Sequence, residues 1–211
     1  MLHKLFSRQY FKSYAPLLTF LFLLLPFIFL ISAGGSEARQ GKPLNWSMAL
    51  MNVSTGDLVP FSAPVQSRTG EQFRLIIDPE TDCFFYMISE SPGDNGLEVL
   101  YDGALLKGEW YSPVMVLSPP EGSESLFVIA SLAEQKDLAQ RISSVKANPS
   151  TANKRALMNE VFRLRSEISK FKEEPEKPVL MGGAARGASE NSQGLEFSGL
   201  DAYVKTISIE H

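Results

Sequence analysis

The sequence contains few of the residues on which catalytic and metal sites most often depend. Its 211 residues include one cysteine, Cys83, and two histidines, His3 and His211. One cysteine cannot build an intrachain disulfide framework or a Cys-rich zinc site. A Ser–His or Cys–His nucleophile pair needs an imidazole beside the nucleophile. We therefore expect no enzyme activity, and no catalytic, cofactor-binding or metal-binding residue.

Positive charge is also scarce. The chain has 20 Lys and Arg residues against 24 Asp and Glu residues, a net charge of −4. Because nucleic-acid binding depends on Lys and Arg to neutralise phosphates, we expect no nucleic-acid partner. With 44% hydrophobic residues, the length suits one domain with its own core plus a tail or an anchor.

The longest apolar run lies near the N-terminus. Lys4, Arg8 and Lys12 precede an uncharged stretch, residues 13–36, and its 15 central residues, 17–31, are almost all Leu, Phe and Ile. That length is typical of the apolar part of a signal peptide and falls short of the roughly 20 residues that a membrane-spanning helix needs. The pattern predicts an export signal.

Two positions suit cleavage of this signal. Ser36-Glu37-Ala38 and Ser32-Ala33-Gly34 each place small residues at the −3 and −1 positions. Residues 1–38 are therefore predicted to be a signal peptide or, if uncut, a membrane anchor with its basic end in the cytoplasm. Residues 39–211 are predicted to be an exported domain in the periplasm or cell envelope.

Short strands separated by turn residues are predicted from Leu44 to Ser131. Residues 73, 75 and 77 are apolar at every second position, the period of a strand with one buried face. Cys83–Ile88 is apolar almost throughout, which predicts a central strand covered on both sides. Further strands are predicted at 46–50, 97–101, 114–117 and 126–130, with a break at Asp102-Gly103. This spacing of strands and turns predicts an antiparallel β-sandwich-like domain.

Four of these stretches resemble a bacterial domain-of-unknown-function family. They are Ser67–Leu75, Cys83–Ile88, Val99–Tyr101 and Leu117–Leu126. The resemblance covers about residues 67–131 and, in addition, the C-terminal strand. Members of that family occur as single exported domains, or behind caspase-like peptidase or protein-kinase domains. The resemblance implies a sandwich-like accessory module and supplies no active site. Asp102 stands where the family commonly has proline.

Two helices are predicted as an insertion, about residues 132–174, before the last strand. Ser131 and Glu134 have the spacing of a capping box, and apolar residues at helical spacing follow up to about residue 146. In the second helix, apolar residues repeat at intervals of 4, 3, 4 and 3 (Leu157, Val161, Leu164, Ile168 and Phe171). We favour a helix that covers a sheet face or the neighbouring helix over a seam for a partner helix, since stable coiled coils need longer runs.

The end of the chain is predicted to return to the sheet. Residues 175–194 are rich in Gly, Pro, Ser and charged residues, which predicts a flexible linker. Tyr203–Ile209 then alternates as a strand, with Tyr203, Ile207 and Ile209 on one face. The helices are accordingly expected to lie within a single domain spanning residues 39–211.

Two further features are candidates for binding. Asp78, Glu80 and Asp82 alternate through a turn and offer carboxylate oxygens of the kind that calcium prefers, although the downstream ligands of an EF-hand loop are missing. Trp110-Tyr111 lies between turn residues and is interpreted either as an exposed aromatic contact surface or as an edge of the core.

The sequence thus predicts an exported, non-catalytic cell-envelope domain that binds protein or another envelope component, with its N-terminal segment reaching the membrane. The alternative is a calcium-dependent ligand binder or a carboxylate-type hydrolase that uses the acidic turn at residues 78–82.

Overall fold

The computed structural model describes residues 41–93, 96–168, 177–179 and 194–211. The predicted signal or anchor segment, residues 1–38, lies outside the described residues. Gly41–His211 forms a compact unit by itself. Neither helix in the described part of the chain is both long and apolar enough to cross a membrane.

The described chain is mainly β, with two sheets and two helices. The strands of the first sheet are β1 (Pro43–Asn52), β2 (Leu58–Val59), β4 (Gln72–Pro79), β7 (Trp110–Tyr111), β8 (Met115–Val116), β10 (Lys177–Val179) and β11 (Gly194–Leu200). Their order is β10-β11-β1-β4-β7, with β2 paired to β1 and β8 paired to β4. All of these pairs are antiparallel.

The strands of the second sheet are β3 (Val65–Gln66), β5 (Cys83–Glu90), β6 (Leu97–Leu105), β9 (Ser123–Ser131) and β12 (Ala202–Glu210). Their order is β3-β12-β9-β5-β6. The β3–β12 pair is parallel and the other pairs are antiparallel. This two-sheet arrangement is consistent with the predicted β-sandwich-like class.

The two sheets share a hydrophobic core, because alternate residues of their strands face inward. Trp46 of β1 is almost fully buried at its centre. The Trp46 ring centroid lies 6.1 Å from that of Phe85, 5.0 Å from that of Phe197 and 5.9 Å from that of Tyr203. These contacts join three further strands, from both sheets, to one aromatic cluster.

The other face of the second sheet is covered by the helices α1 (Lys136–Ala147) and α2 (Thr151–Ile168). A second hydrophobic cluster joins strand residues such as Ile88 and Ile129 to Leu138 of α1 and to Leu157 and Val161 of α2. The apolar repeat of α2 therefore covers a sheet face and its neighbouring helix, as predicted. Phe171 lies outside the described residues.

Strand β5 lies between the two clusters. Phe85 and Met87 belong to the core between the sheets, whereas Tyr86 and Ile88 belong to the cluster under the helices. The prediction of a central strand covered on both faces is confirmed. The prediction for the last strand is also confirmed: β12 pairs with β9, and Tyr203, Ile207 and Ile209 all face the core.

The predicted capping box is wrong. Helix α1 begins at Lys136, and its N-cap residue, Gln135, makes no side-chain cap hydrogen bond. Ser131 is the last residue of β9, and its hydroxyl donates to the Ala133 carbonyl, with 2.7 Å between the oxygens. The start of the helix is held instead by Tyr86, whose hydroxyl accepts a hydrogen bond from the Gln135 amide at 3.0 Å.

Two other boundaries differ from the prediction. Strand β6 does not break at Asp102-Gly103: it continues to Leu105, since Asp102 pairs with Tyr86 and Gly103 with Phe85, and its register with β5 shifts at a bulge at Leu100. Within the predicted linker, Lys177–Val179 forms β10 and pairs with β11, and Gly194 already belongs to β11. The intervening linker residues lie outside the described residues.

Candidate binding surface at the β6–β8 edge

Exposed apolar side chains are concentrated on one short segment. Six large hydrophobic residues of the described chain are exposed, and four of them lie between positions 106 and 116: Leu106, Tyr111, Val114 and Val116. Leu106 is the most exposed, at 75%. Exposed apolar residues are ordinary when scattered over a surface, so the concentration of four of them within eleven residues of the sequence makes this segment the candidate interaction site.

This segment follows the edges of both sheets. Strand β6 is the last strand of the second sheet, and β7 and β8 pair with the outer side of β4 in the first. Within the described part of the chain, no further strand pairs with β6, β7 or β8. Unpaired edge strands expose backbone N–H and C=O groups that can pair with an added strand. We call the surface formed by Tyr101 and residues 106–116 the β6–β8 edge.

Ser112 shapes this edge by interrupting the pairing with β4. Its hydroxyl accepts a hydrogen bond from the Leu75 amide, and its own amide donates to the Leu75 carbonyl, both at 2.9 Å. Ser112 is almost fully buried as a result. Residues that pair across neighbouring strands have their side chains on the same face of the sheet. Tyr111 pairs with Ile76 and Val116 pairs with Gln72, so both lie on the face of the first sheet that points away from the core between the sheets.

Tyr101 and Trp110 bring the two edges together. Their ring centroids are 4.8 Å apart, and each ring also contacts Phe85 in the core, at 6.0 Å and 5.7 Å respectively. A groove of about 340 Å³ lies against them, and Leu106, Lys107 and Glu109 are among the other residues that line it. The groove is thus lined by two aromatic rings, the positive charge of Lys107 and the negative charge of Glu109.

Trp110 and Tyr111 play different parts. Trp110 is half-buried against the core, whereas Tyr111 is 40% exposed. The Arg74 guanidinium lies 6.0 Å from the Tyr111 ring centroid, and the Tyr111 hydroxyl donates to the Glu109 carboxylate at 2.7 Å. That hydrogen bond raises the Tyr111 pKa, because it favours the protonated phenol. Trp110 accordingly fits the core-edge interpretation, and Tyr111 fits the contact-surface interpretation.

The acidic turn at residues 78–82 lies beside this surface, and its side chains bind protein groups. A Glu80 oxygen accepts a hydrogen bond from the Asn45 amide nitrogen at 3.1 Å, and an Asp82 oxygen accepts one from the Lys107 backbone amide at 2.8 Å. Over the described residues, no group of three or more His, Cys, Asp or Glu side chains is arranged to hold a metal ion. The turn is thus hydrogen-bonded to β1 and to the loop that follows β6.

Cys83 and His211 are the two described residues with thiol or imidazole chemistry. Cys83 is buried, and burial raises its pKa to about 11, with the charge of Asp82 as the second cause. A thiol in that state stays protonated at neutral pH and is a poor nucleophile.

The His211 ring is buried at the opposite end of the strands. Its Nδ1 lies 3.0 Å from the Thr69 hydroxyl, and its Nε2 lies 3.5 Å from a Glu124 oxygen without a hydrogen bond. The Thr69 hydroxyl, the His211 imidazole and the Glu124 carboxylate thus lie in the order of a catalytic triad. The carboxylate makes no hydrogen bond to the ring, however, and so does not orient it. Neither this trio nor Cys83 lines the groove at Trp110 or the second cavity described below.

Comparison of the chain with models of known protein families, with curated proteins and with solved structures finds no match. The resemblance to a bacterial domain-of-unknown-function family therefore stays a prediction.

Proposed function

We propose that the protein is an exported, non-catalytic, β-sandwich-like module of the cell envelope that binds a protein partner through the β6–β8 edge. The observation that carries this proposal is the concentration of exposed apolar side chains at residues 106–116, beside an aromatic groove. Fully burying one apolar side chain contributes about 1.5–3 kcal/mol, and these side chains, which are 37–75% exposed, contribute the corresponding share when a partner covers them.

The geometry suits an extended segment of the partner. Strand β6 has nine residues, and its outer backbone groups can pair with an added strand, while alternate side chains of that strand point to one face. An apolar side chain of the segment would lie in the groove between Leu106 and the Tyr101–Trp110 pair. The bulge at Leu100 and the exposed acidic residue Glu98 limit indiscriminate pairing of this edge.

A binding role fits the chemistry of the described residues better than a catalytic one. The thiol is protonated, the imidazole of His211 is buried, and the acidic turn is hydrogen-bonded to protein groups. The groove holds one carboxylate, Glu109, which accepts a hydrogen bond from Tyr111. General acid–base catalysis would instead need a titratable group within hydrogen-bond reach of a substrate proton.

Export is supported by the sequence of residues 1–38, which has the order of a signal: basic residues, an apolar run and small residues. The intact mass of the protein from its host, combined with fractionation, tests this part. A species beginning at Arg39 in the soluble envelope fraction indicates cleavage, and a full-length species in the membrane fraction indicates an anchor. A full-length species in the cytoplasm would contradict export.

Binding is tested by comparing envelope proteins that co-purify with the wild type and with the double variant Leu106→Ser, Val116→Ser. Both side chains are exposed, so the folded state should lose less than about 0.5 kcal/mol. We expect specific partners to be lost from the double variant and kept by the control Lys136→Ser, which changes an exposed residue on α1. Identical recovery from all three proteins would contradict the proposal.

A further inference from the structure

Charge is unevenly divided between the helices and the sheets. Residues 134–168, which include both helices, contain seven basic and four acidic residues. The segments that carry the strands, 41–133, 177–179 and 194–211, contain six basic and fifteen acidic residues. The helical layer is therefore a basic surface on an otherwise acidic domain, which the net charge of the whole chain conceals.

Helix α2 places two of these basic residues beside one exposed aromatic residue, Phe162, and one buried apolar residue, Met158. Arg155, Met158, Phe162 and Arg165 fall within about a quarter turn of one another on α2, at the helical repeat of 3.6 residues. We call these four residues the α2 stripe. Phe162 is 48% exposed although its ring contacts Phe127 of β9, with 5.9 Å between the centroids.

A cavity of about 330 Å³ opens along this stripe, between α2 and the end of the β5–β6 hairpin. Arg155, Met158 and Phe162 line it from the helix, and Leu97 and Glu90 line it from the strands. The cavity thus combines apolar side chains, Leu97, Met158 and Phe162, with a guanidinium group on the helix side and the Glu90 carboxylate on the strand side.

The two guanidinium groups of the stripe are available for a ligand. Within the described residues, neither Arg155 nor Arg165 has a hydrogen-bond or ion-pair partner. Arg163, on a different side of α2, shows the contrast, because its guanidinium is hydrogen-bonded to both Glu160 and Glu167. Each Arg or Lys side chain near an anionic membrane surface contributes about 1 kcal/mol of attraction to the headgroups, and an exposed aromatic ring can insert at the boundary between headgroups and acyl chains.

We propose that the α2 stripe docks on the surface of an anionic phospholipid bilayer. Arg155 and Arg165 contact headgroup phosphates, and the Phe162 ring inserts between the headgroups. This contact involves a different face from the β6–β8 edge. It can therefore fail or hold independently of the proposed partner binding.

The test is co-sedimentation of residues 41–211 with lipid vesicles. This segment contains every described strand pairing and all three hydrophobic clusters of the described residues, and it lacks the apolar run, which would itself bind lipid. We expect binding to vesicles of equal parts phosphatidylcholine and phosphatidylglycerol, weakening as salt rises, and little binding to phosphatidylcholine alone. Equal binding to both vesicle types would overturn the proposal.

Variants locate the contact. Replacing Arg155 and Arg165 with Gln should lower the partition coefficient about fivefold per charge. Phe162→Ser should weaken binding while leaving its salt dependence unchanged. The control Arg68→Gln, Lys107→Gln removes the same two charges from the strand segments, and an equal loss in that control would overturn the proposal. Binding of poly-glutamate through the stripe, without vesicle binding, would assign the stripe to an acidic protein instead and also overturn it.

Discussion

The Asp82 carboxylate accepts a hydrogen bond from the backbone amide of Lys107, with 2.8 Å between Oδ1 and N. Asp82 lies in the turn between β4 and β5, and Lys107 lies in the loop between β6 and β7. A second bond, from the Gly108 amide to the Pro79 carbonyl at 3.2 Å, joins the same two segments. Together these bonds hold the loop that presents Leu106 and lines the groove at Trp110.

Removing the Asp82 acceptor should loosen this loop. We expect Asp82→Ala to lower the free energy of unfolding by about 1 kcal/mol, since one hydrogen bond to a charged acceptor is lost from an exposed site. Asp82→Asn keeps an oxygen acceptor and should cost less. Urea denaturation measures the difference. The control is Asp78→Ala, an exposed carboxylate on β4, and equal losses in the two Ala variants would show that the bond contributes nothing.

Calcium should leave the thermal unfolding temperature unchanged. Glu80 and Asp82 already accept hydrogen bonds from different partners, and their oxygens do not converge with others into a metal-binding group in the described chain. Melts with added calcium and with EDTA test this expectation. A rise of several degrees with calcium, abolished by Glu80→Gln, would instead support the calcium-dependent alternative.

Alkaline pH should destabilise the protein through Cys83. In the unfolded chain the thiol has its ordinary pKa of 9.0, and burial in the folded state raises the pKa to about 11. The unfolded state therefore releases this proton first, so stability is full below pH 9 and falls as the pH rises towards 11. Burial also raises the pKa of Tyr86 and of Tyr101, which act in the same direction.

The Cys83→Ala variant isolates the thiol contribution. Its stability, measured by urea denaturation between pH 9 and pH 11, should fall less steeply than that of the wild type, while the tyrosine contribution remains. Parallel curves for the two proteins would show that the folded thiol ionises at its ordinary pKa.

The helical layer should be a fixed part of the fold. Leu157 is fully buried in the cluster that covers the second sheet, so Leu157→Ala should lower the free energy of unfolding by about 2–5 kcal/mol. Arg163→Ala, on the exposed side of the same helix, should cost less than about 1 kcal/mol although it removes the ion pairs with Asp137, Glu160 and Glu167, because exposed ion pairs contribute little. Losses of similar size would contradict a helix packed on the sheet.

The sequence predicted correctly the strands in which the spacing of apolar residues follows directly from which faces are buried. The alternation at residues 73–77 and at Tyr203–Ile209, and the continuous apolar run in β5, each report which faces a strand buries. The capping box failed because Ser131 is needed in β9, where tertiary pairing overrides a local helix signal. The break predicted at Asp102-Gly103 is wrong because both residues pair with β5, and this cross-strand pairing overrides the local turn signal of Asp-Gly.

The candidate site was only partly predictable. The aromatic pair at residues 110–111 was visible in the sequence, but Leu106 and Val116 gave no signal, because exposure of an apolar residue depends on where the sheet edges lie. The role of Asp82 was hidden for the same reason: its hydrogen-bond donor is the backbone of a residue in a distant loop. The uneven division of charge between helices and sheets could not be recognised from the sequence, because the charges can be counted for each layer only when the residues of that layer are known.

Site-specific photocrosslinking tests the binding surface most directly. A photoreactive phenylalanine analogue is placed at position 106 or, as the matched control, at position 162, which is also exposed and apolar but lies on α2. After irradiation in the native host, we expect position 106 to give a discrete crosslinked protein that position 162 does not give. A crosslinked protein common to both positions, or none at position 106, would contradict the account of the β6–β8 edge as the partner-binding surface.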